Sequence, residues 1–299
     1  MTLSVSPDRG APTTVALVAA VLALAPAESR DFRILLDSAD VASGTDDRSG
    51  VLIVSSDDGA TLAAGAAHAG ESVTVGYSSS ADIRVDRIDV SVAGTSFDAV
   101  TGASRVAVRL SLIGERHVPA ALAAIAAGRI AGVADDAIVG ALEAIITGEP
   151  GNLERIPTRP GVVLLDDSYD STSLSMTEAL KTLAEITPVT GRSIAVLSPL
   201  AGTGEAGIDS ESRDEHDRIG RIIVRLNIGL LIAIGNGARH LAGAAGLEGS
   251  WDGESVLVAD PNEAYDLVRA EILEGDVILV KSGPIGTNTL GQRIGELLA

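Results

Sequence analysis

The hydrophobic positions change period near the middle of the chain. Between Gly50 and Gly114 the pattern is that of strands. Val51–Val54 is a short aliphatic run, and Ser72–Val75 (SVTV) is a second strand-like segment. Ile83–Val90 and Val106–Leu110 alternate apolar and polar residues with the period of two that a half-buried strand requires. Two helical stretches follow, Pro119–Ile130 and Ala134–Ile146, and periodicity then stops at Gly148-Glu149-Pro150-Gly151-Asn152. Glycine and proline punctuate that segment, which predicts a domain boundary dividing residues 1–150 from 151–299.

Beyond the boundary, strands and helices alternate regularly. Strands are predicted at Val162–Leu165, Ser193–Leu197, Leu230–Ile234, Ser255–Val258 and Val277–Val280. Helices are predicted at Leu174–Ile186, Arg213–Leu226 and Asn262–Leu273. This spacing implies an α/β fold with a doubly wound, Rossmann-like parallel sheet, whose ligands sit beyond the carboxyl ends of the strands. The loops to watch are therefore Asp166–Asp170, Ser198–Gly207, Gly235–Gly237 and Lys281–Pro284.

Composition narrows the function. The chain has 299 residues, 46% hydrophobic and 21% charged, enough for two ordinary domains. Aromatics make up only 2%, so the cores are aliphatic, as covered parallel sheets are. A net charge of -19 argues against nucleic acid and against an anionic membrane surface as partners. Without cysteine there are no disulfides, thiolate metal sites or thiol nucleophiles. The apolar run Val15–Ala25 has two readings. It is a buried helix begun by Pro12-Thr13-Thr14 in a cytoplasmic protein, or the apolar segment of a signal peptide within residues 1–27, which is too short to span a bilayer.

Small motifs carry modest weight. Gly202–Gly207 matches G-x-G-x-x-G, but Ile208–Ser212 separates it from any helix, and Glu205 and Asp209 repel phosphate, so a loop is the better reading. Asp57-Asp58, Asp135-Asp136 and Asp166-Asp167 are paired carboxylates. Asp135-Asp136, near a helix start, reads as capping and dipole compensation. Asp166-Asp167, at a strand end, stands between ligand contact and a turn role. His68, His117, His216 and His240 lack ligand spacing, and no metal site is expected. Lys281 either pairs with a carboxylate or holds an anion. Trp251 sits alone in a Gly-Ser-Trp-Asp-Gly turn.

The strand-end loops also carry a likeness. Leu164–Met176 (LLDDSYDSTSLSM) is similar to the D-D-x-Y-N-A-N-P-x-S-M signature of the Mur ligase family, especially the branch that adds D-alanyl-D-alanine to a UDP-muramoyl tripeptide. Ser193–Leu197 with Glu215–Gly220 resembles that family's next strand and helix, and Asp276–Ser282 its D-x-V-L-V-K-G strand. Val51–Asp58 and Leu112–His117 resemble its V-L-N-A-D-D and L-P-G-x-H-N segments. The likeness runs in order over about residues 50 to 299. It implies a shortened Mur-ligase central-like domain followed by the family's C-terminal domain.

The resemblance also implies ATP chemistry, joining an amine to an acyl phosphate, which needs a phosphate loop with a lysine and carboxylates for Mg²⁺. No G-x-x-x-x-G-K-[ST] occurs, and Arg9–Thr14 (RGAPTT) stands in its place with Pro12 lacking an N–H. Residues 27–50 are too few for the usual Mg²⁺-binding elements, and no room is left for the family's front domain. Val118 and Ala121 replace adenine-contacting Asn. Asp170 and Thr172 replace Asn, Ser173 replaces Pro, Ser198-Pro199-Leu200 replaces G-D-M, and Pro284 replaces the Arg of K-G-S-R.

These substitutions imply a non-catalytic homologue with no catalytic residues, cofactor or metal, tied to cell-wall peptide or peptide natural-product assembly. Its ligand would be a small amino acid or peptide. The family positions assigned to binding are Asp166, Asp167, Tyr169, Asp170, Thr172, His117, Lys281 and Ser282. The alternative is a divergent ATP-dependent amide ligase. A compatible third reading is a structural subunit that covers an open sheet edge with the Thr14–Ala25 helix, within the chain, across a homodimer or against a partner protein.

Overall fold

A computed structural model describes residues 3–5, 11–25, 31–37, 41, 50–102, 104–146, 150–201, 210–247, 249–281 and 290–299. The chain divides into two compact units, residues 1–148 and 149–299.

The first unit contains a seven-stranded sheet in sequence order. Its strands are β1 (Leu3–Val5), β2 (Phe32–Leu35), β3 (Val51–Ser55), β4 (Glu71–Gly76), β5 (Ile83–Ser91), β6 (Gly94–Thr101) and β7 (Ser104–Leu110). The first five are parallel neighbours, and β5-β6-β7 is an antiparallel meander. The β4–β5 pairing is only two residues long, Val75↔Ile83 and Gly76↔Arg84, because the connection is too short for a covering helix. Asp57 braces that connection: the amides of Tyr77 and Ser78 donate to its carboxylate at 2.8 and 3.0 Å. Asp58 caps α2 (Gly59–Ala67), accepting from the Thr61 amide at 2.8 Å. This carboxylate pair is therefore structural.

Helix α3 (Val118–Ile130) lies on the sheet and is itself covered by α1 (Ala11–Leu22) and α4 (Asp135–Glu143). Being surrounded, it is built of small residues, and Ala120 to Gly128 are all buried. Gly128 permits the close approach: a Cβ there would lie 2.5 Å from Val21 Cγ1 and 2.8 Å from Ile138 Cδ1. Helix α1 buries Leu17, Val18, Val21 and Leu22 in this core, so the N-terminal apolar run is used within the chain. Among the described residues no helix is long and apolar enough to cross a membrane. Asp135 and Asp136 lie in the first turn of α4, where they complement the helix dipole as expected, but neither is the cap residue. Ala134 is the cap residue and makes no side-chain bond, while Asp135 pairs with Arg129 at 2.7 Å.

The second unit holds β8 (Glu154–Ile156), β9 (Val163–Asp166), α5 (Ser173–Ile186), β10 (Arg192–Leu197), α6 (Ser210–Arg225), β11 (Leu230–Ile234), α7 (Arg239–Gly246), β12 (Glu254–Val258), α8 (Pro261–Glu271), β13 (Asp276–Lys281) and α9 (Leu290–Leu298). The sheet order is β12-β11-β10-β13-β9-β8, parallel except for β8. From β9 the chain winds one way through β10, β11 and β12, then returns to insert β13 between β9 and β10. Right-handed crossovers in opposite directions put their helices on opposite faces. Accordingly α5, α6 and α7 form one layer, while α8 and α9 pack on the other face against Leu164, Ile194, Ile232 and Ile278. All six residues of β13 are buried, as the central strand of a two-sided sheet must be.

Candidate ligand crevice at the carboxyl edge of the second sheet

Reversal of winding places β13 between β9 and β10, whose following helices lie across the sheet from α9. Such a switch point opens a crevice at the carboxyl ends of the strands. Here those ends are Asp166, Leu197 and Lys281, adjacent in register: Lys281 pairs with Leu197, and Val280 with Asp166. The loops after β9 and β10 are stitched to the central strand. The Asp167 amide donates to Val280 O at 2.8 Å, and the Ser198 amide donates to Lys281 O at 3.1 Å.

A buried ion pair lies at these strand ends. Lys281 Nζ donates to Asp167 Oδ2 at 2.6 Å, to the Asp170 carbonyl at 2.8 Å and to the Asp167 carbonyl at 3.3 Å, and both side chains are fully enclosed. Asp167 Oδ1 accepts from the Leu153 amide at 3.0 Å. Lys281 therefore pairs with a carboxylate, and the Asp167 carboxylate is turned into the structure.

Asp166 is also turned inward. Its Oδ1 accepts from the Ser168 amide and hydroxyl at 3.1 and 2.6 Å, and a Cβ on Gly291, in the first turn of α9, would lie 2.5 Å from its Oδ2. Burial pushes the Asp166 carboxyl above its ordinary range, against the Ser168 hydrogen bonds, and the charges of Glu154 and Asp167 push the same way. Both aspartates, read from sequence as candidate contacts, fix the loop that carries the neighbouring residues.

Those neighbours face outward or form the helix entrance. Tyr169 is about half exposed. Asp170 Oδ1 accepts from the Thr172 amide at 3.0 Å, and Thr172 caps α5, accepting from the Ser175 amide. The hydroxyls of Ser171 and Ser175 are buried with no hydrogen-bond partner. Ser171 precedes the Thr172 cap and Ser175 lies in the first turn of α5, where the helix dipole attracts a negative group. Motif comparison did not single out these two serines. Ser173, where a proline was expected, bonds Glu215 and Arg218 of α6.

His117 belongs to the other unit. It lies in the first unit at the start of α3, buried, and burial together with the Arg116 charge pushes its pKa down to about 3, against a hydrogen bond to the Ile113 backbone. It is a neutral core histidine. His68 meets the Gly50 carbonyl, His216 the backbone of Leu200 and Ser212, and His240 the Arg239 guanidinium. Among the described residues no group of three acidic or histidine side chains is placed to hold a metal. Ser282, the Gly202–Gly207 loop, Arg9-Gly10 and Pro284 lie outside the described residues. Trp251 donates to the Ile228 carbonyl at 3.0 Å, a structural role.

The fold defines a doubly wound α/β domain whose switch point lies at the carboxyl ends of β9, β13 and β10. Residues 152–283 match the family described as Mur ligase, glutamate ligase domain. The chain is 32% identical over 251 residues to the UDP-N-acetylmuramoyl-tripeptide--D-alanyl-D-alanine ligase of Mycobacterium tuberculosis (strain ATCC 25618 / H37Rv), covering 78% of this chain and 48% of the relative. It is 35% identical over 199 residues to the ligase of the same name from Mycobacterium leprae (strain TN), covering 62% and 38%. In fold it resembles MurF from Acinetobacter baumannii, with a TM-score of 0.76 at 20% identity over 99% of this chain and 77% of that one. It also resembles MurF ligase from Thermotoga maritima in complex with ADP, with a TM-score of 0.73 at 14% identity over 99% and 80%. The chain belongs to the Mur ligase family. It spans about half the length or less of the two relatives compared by sequence.

Proposed function

We propose that this chain is a ligand-binding member of the Mur ligase family that does not turn over ATP, and that it takes a small carboxylate-bearing amino acid or peptide at the entrance of α5. The observation that carries the first half is the lysine inventory. The sequence contains two lysines, Lys181 and Lys281. Lys281 is consumed by Asp167, and Lys181 is exposed in the middle of α5, away from any loop. After β1, at the start of α1, the sequence has Ala11-Pro12 where a phosphate loop would supply its lysine and an amide. The buried hydroxyls of Ser171 and Ser175 support the second half, since a carboxylate at a helix N-terminus would satisfy both.

Calorimetry with ATP and Mg²⁺ should give no heat of binding up to millimolar nucleotide. Micromolar binding, or release of ADP, would overturn the proposal. A thermal-shift screen of amino acids and dipeptides, D-alanyl-D-alanine included, should find a stabilising ligand whose effect is lost in Ser171→Ala and retained in Ser78→Ala, a loop serine of the first unit.

One observation favours a second reading, a divergent ATP-dependent amide ligase. The Thr13 hydroxyl, in the first turn of α1, is buried and without a hydrogen-bond partner, as a group awaiting a phosphate or metal would be. That reading requires ADP release that depends on an added amine acceptor and falls in Thr13→Val.

A further inference from the structure

Three hydrogen bonds are among the ties of residues 198–201 to the strand ends and helices around them. The Ser198 amide donates to Lys281 O at 3.1 Å, the Ala201 amide donates to Ser171 O at 2.9 Å, and the Leu200 amide donates to His216 Nε2 at 3.2 Å. The first two join backbone groups and are indifferent to pH in the neutral range. The third depends on which imidazole nitrogen is bare.

The two partners of His216 decide that question. An amide offers only a proton, so the nitrogen facing Leu200 must supply a lone pair. A carbonyl offers only lone pairs, so Nδ1, 2.6 Å from Ser212 O, must carry the hydrogen. The ring is fully buried, so water cannot replace either partner. Only one form of the side chain fits both neighbours: neutral, with the proton on Nδ1.

We propose that His216 is the positioning residue of the crevice, a latch that holds the Ser198–Ala201 wall in place while its imidazole is neutral and releases it when Nε2 gains a proton. Protonation turns an acceptor into a donor that faces the Leu200 amide. Residues 198–201 then lose the bond between the Leu200 amide and His216.

The charged and titratable groups that act on the ring are Glu215 and Asp217 on α6 itself and His240 on α7, while Ser198–Ala201 brings none. Burial lowers the affinity of the ring for a second proton, the bond to Ser212 opposes this, His240 lowers it further, and the two carboxylates raise it. Release therefore occurs below the ordinary histidine range. The inference deepens the crevice reading, but its test uses no ligand, so the two fail separately.

The test is NMR on the full chain with ¹⁵N-labelled histidine. At pH 7.5, a long-range ¹H–¹⁵N correlation should show His216 protonated at Nδ1 and bare at Nε2. On acidification, the Leu200 amide resonance should move with the same midpoint as the His216 ring. Exchange protection of the Leu200 amide should fall about tenfold in His216→Phe, equivalent to about 1.4 kcal/mol for one lost hydrogen bond. Protection should persist in His216→Gln, whose Oε1 can accept from the same amide but does not titrate. An Nε2–H tautomer, or a Leu200 amide that ignores the ring's titration, would overturn the proposal. If His216→Phe does not fold, the wild-type titration and the Gln variant still decide it.

Discussion

Lys281 and Asp167 exchange one strong hydrogen bond in an environment closed to water, and each also satisfies backbone groups, Asp170 O for the lysine and the Leu153 amide for the aspartate. Removing one partner leaves a charge buried with nothing to offset it, which typically costs about 3–5 kcal/mol, while an apolar pair of similar volume is often close to neutral. Urea denaturation of the second unit should therefore show Lys281→Met losing that amount, and Lys281→Met with Asp167→Leu recovering a good part of it. A double substitution as unstable as the single one would mean the backbone bonds, not the charge pair, hold the loop. The sequence left Lys281 open between pairing and anion binding. The hydrophobic period locates the end of β13, but the direction of Asp167 depends on Leu153 and Asp170, and the pairing joins residues 114 positions apart. Asp166 was open for the same reason. Its enclosure comes from Gly291 in α9, far along the chain, and Gly291→Ala should lower the melting temperature by driving a methyl group into that carboxylate.

At the scale of elements, the long aliphatic strands of the second unit were legible, and Leu230–Ile234 falls as expected to the residue. Strand β6 (GTSFDAVT) was missed because Gly, Ser, Thr and Asp dilute its alternation, although Phe97 and Ala99 face the core. Helices α2 and α7, GATLAAGAA and RHLAGAAG, were missed because alanine and glycine give almost no period to read. Their helicity is set by what covers them. Helix α3 shows the energetic side of this. Its small side chains let α1 and α4 approach, and the approach is closest at Gly128. In a free helix Gly→Ala gains roughly 1 kcal/mol. At Gly128 the new methyl would meet Val21 and Ile138 at under 3 Å, so Gly128→Ala should destabilise the first unit. Gly140, in α4, has no atom within 4 Å of its Cβ position, and Gly140→Ala should stabilise it by about 0.5–1 kcal/mol. Thermal melts of the two variants should move in opposite directions.

At the scale of the whole molecule, each unit buries a neutral histidine, His117 in the first and His216 in the second, and in both burial is the main cause of the lowered pKa. The sign follows from proton counting. As pH falls below the ordinary value of 6.5, the unfolded chain takes up a proton that the folded chain refuses, so stability is complete above that value and declines below it. For His117 the decline continues down to its folded pKa of about 3, and between pH 7 and 5.5 it amounts to about 1.3 kcal/mol. A second effect runs the other way. The chain carries a net charge of -19, and acidification relieves its self-repulsion. Salt separates the two, because screening weakens the repulsion between exposed charges but leaves the desolvation of a buried ring untouched. In 0.5 M salt, urea unfolding followed by hydrogen exchange of α3 amides should lose about 1.3 kcal/mol between pH 7 and 5.5. His117→Gln, which cannot take up the proton in either state, should remove that slope from the first unit and leave the slope of the second, set by His216, unchanged. An equal slope in the variant would assign the pH dependence to the surface carboxylates.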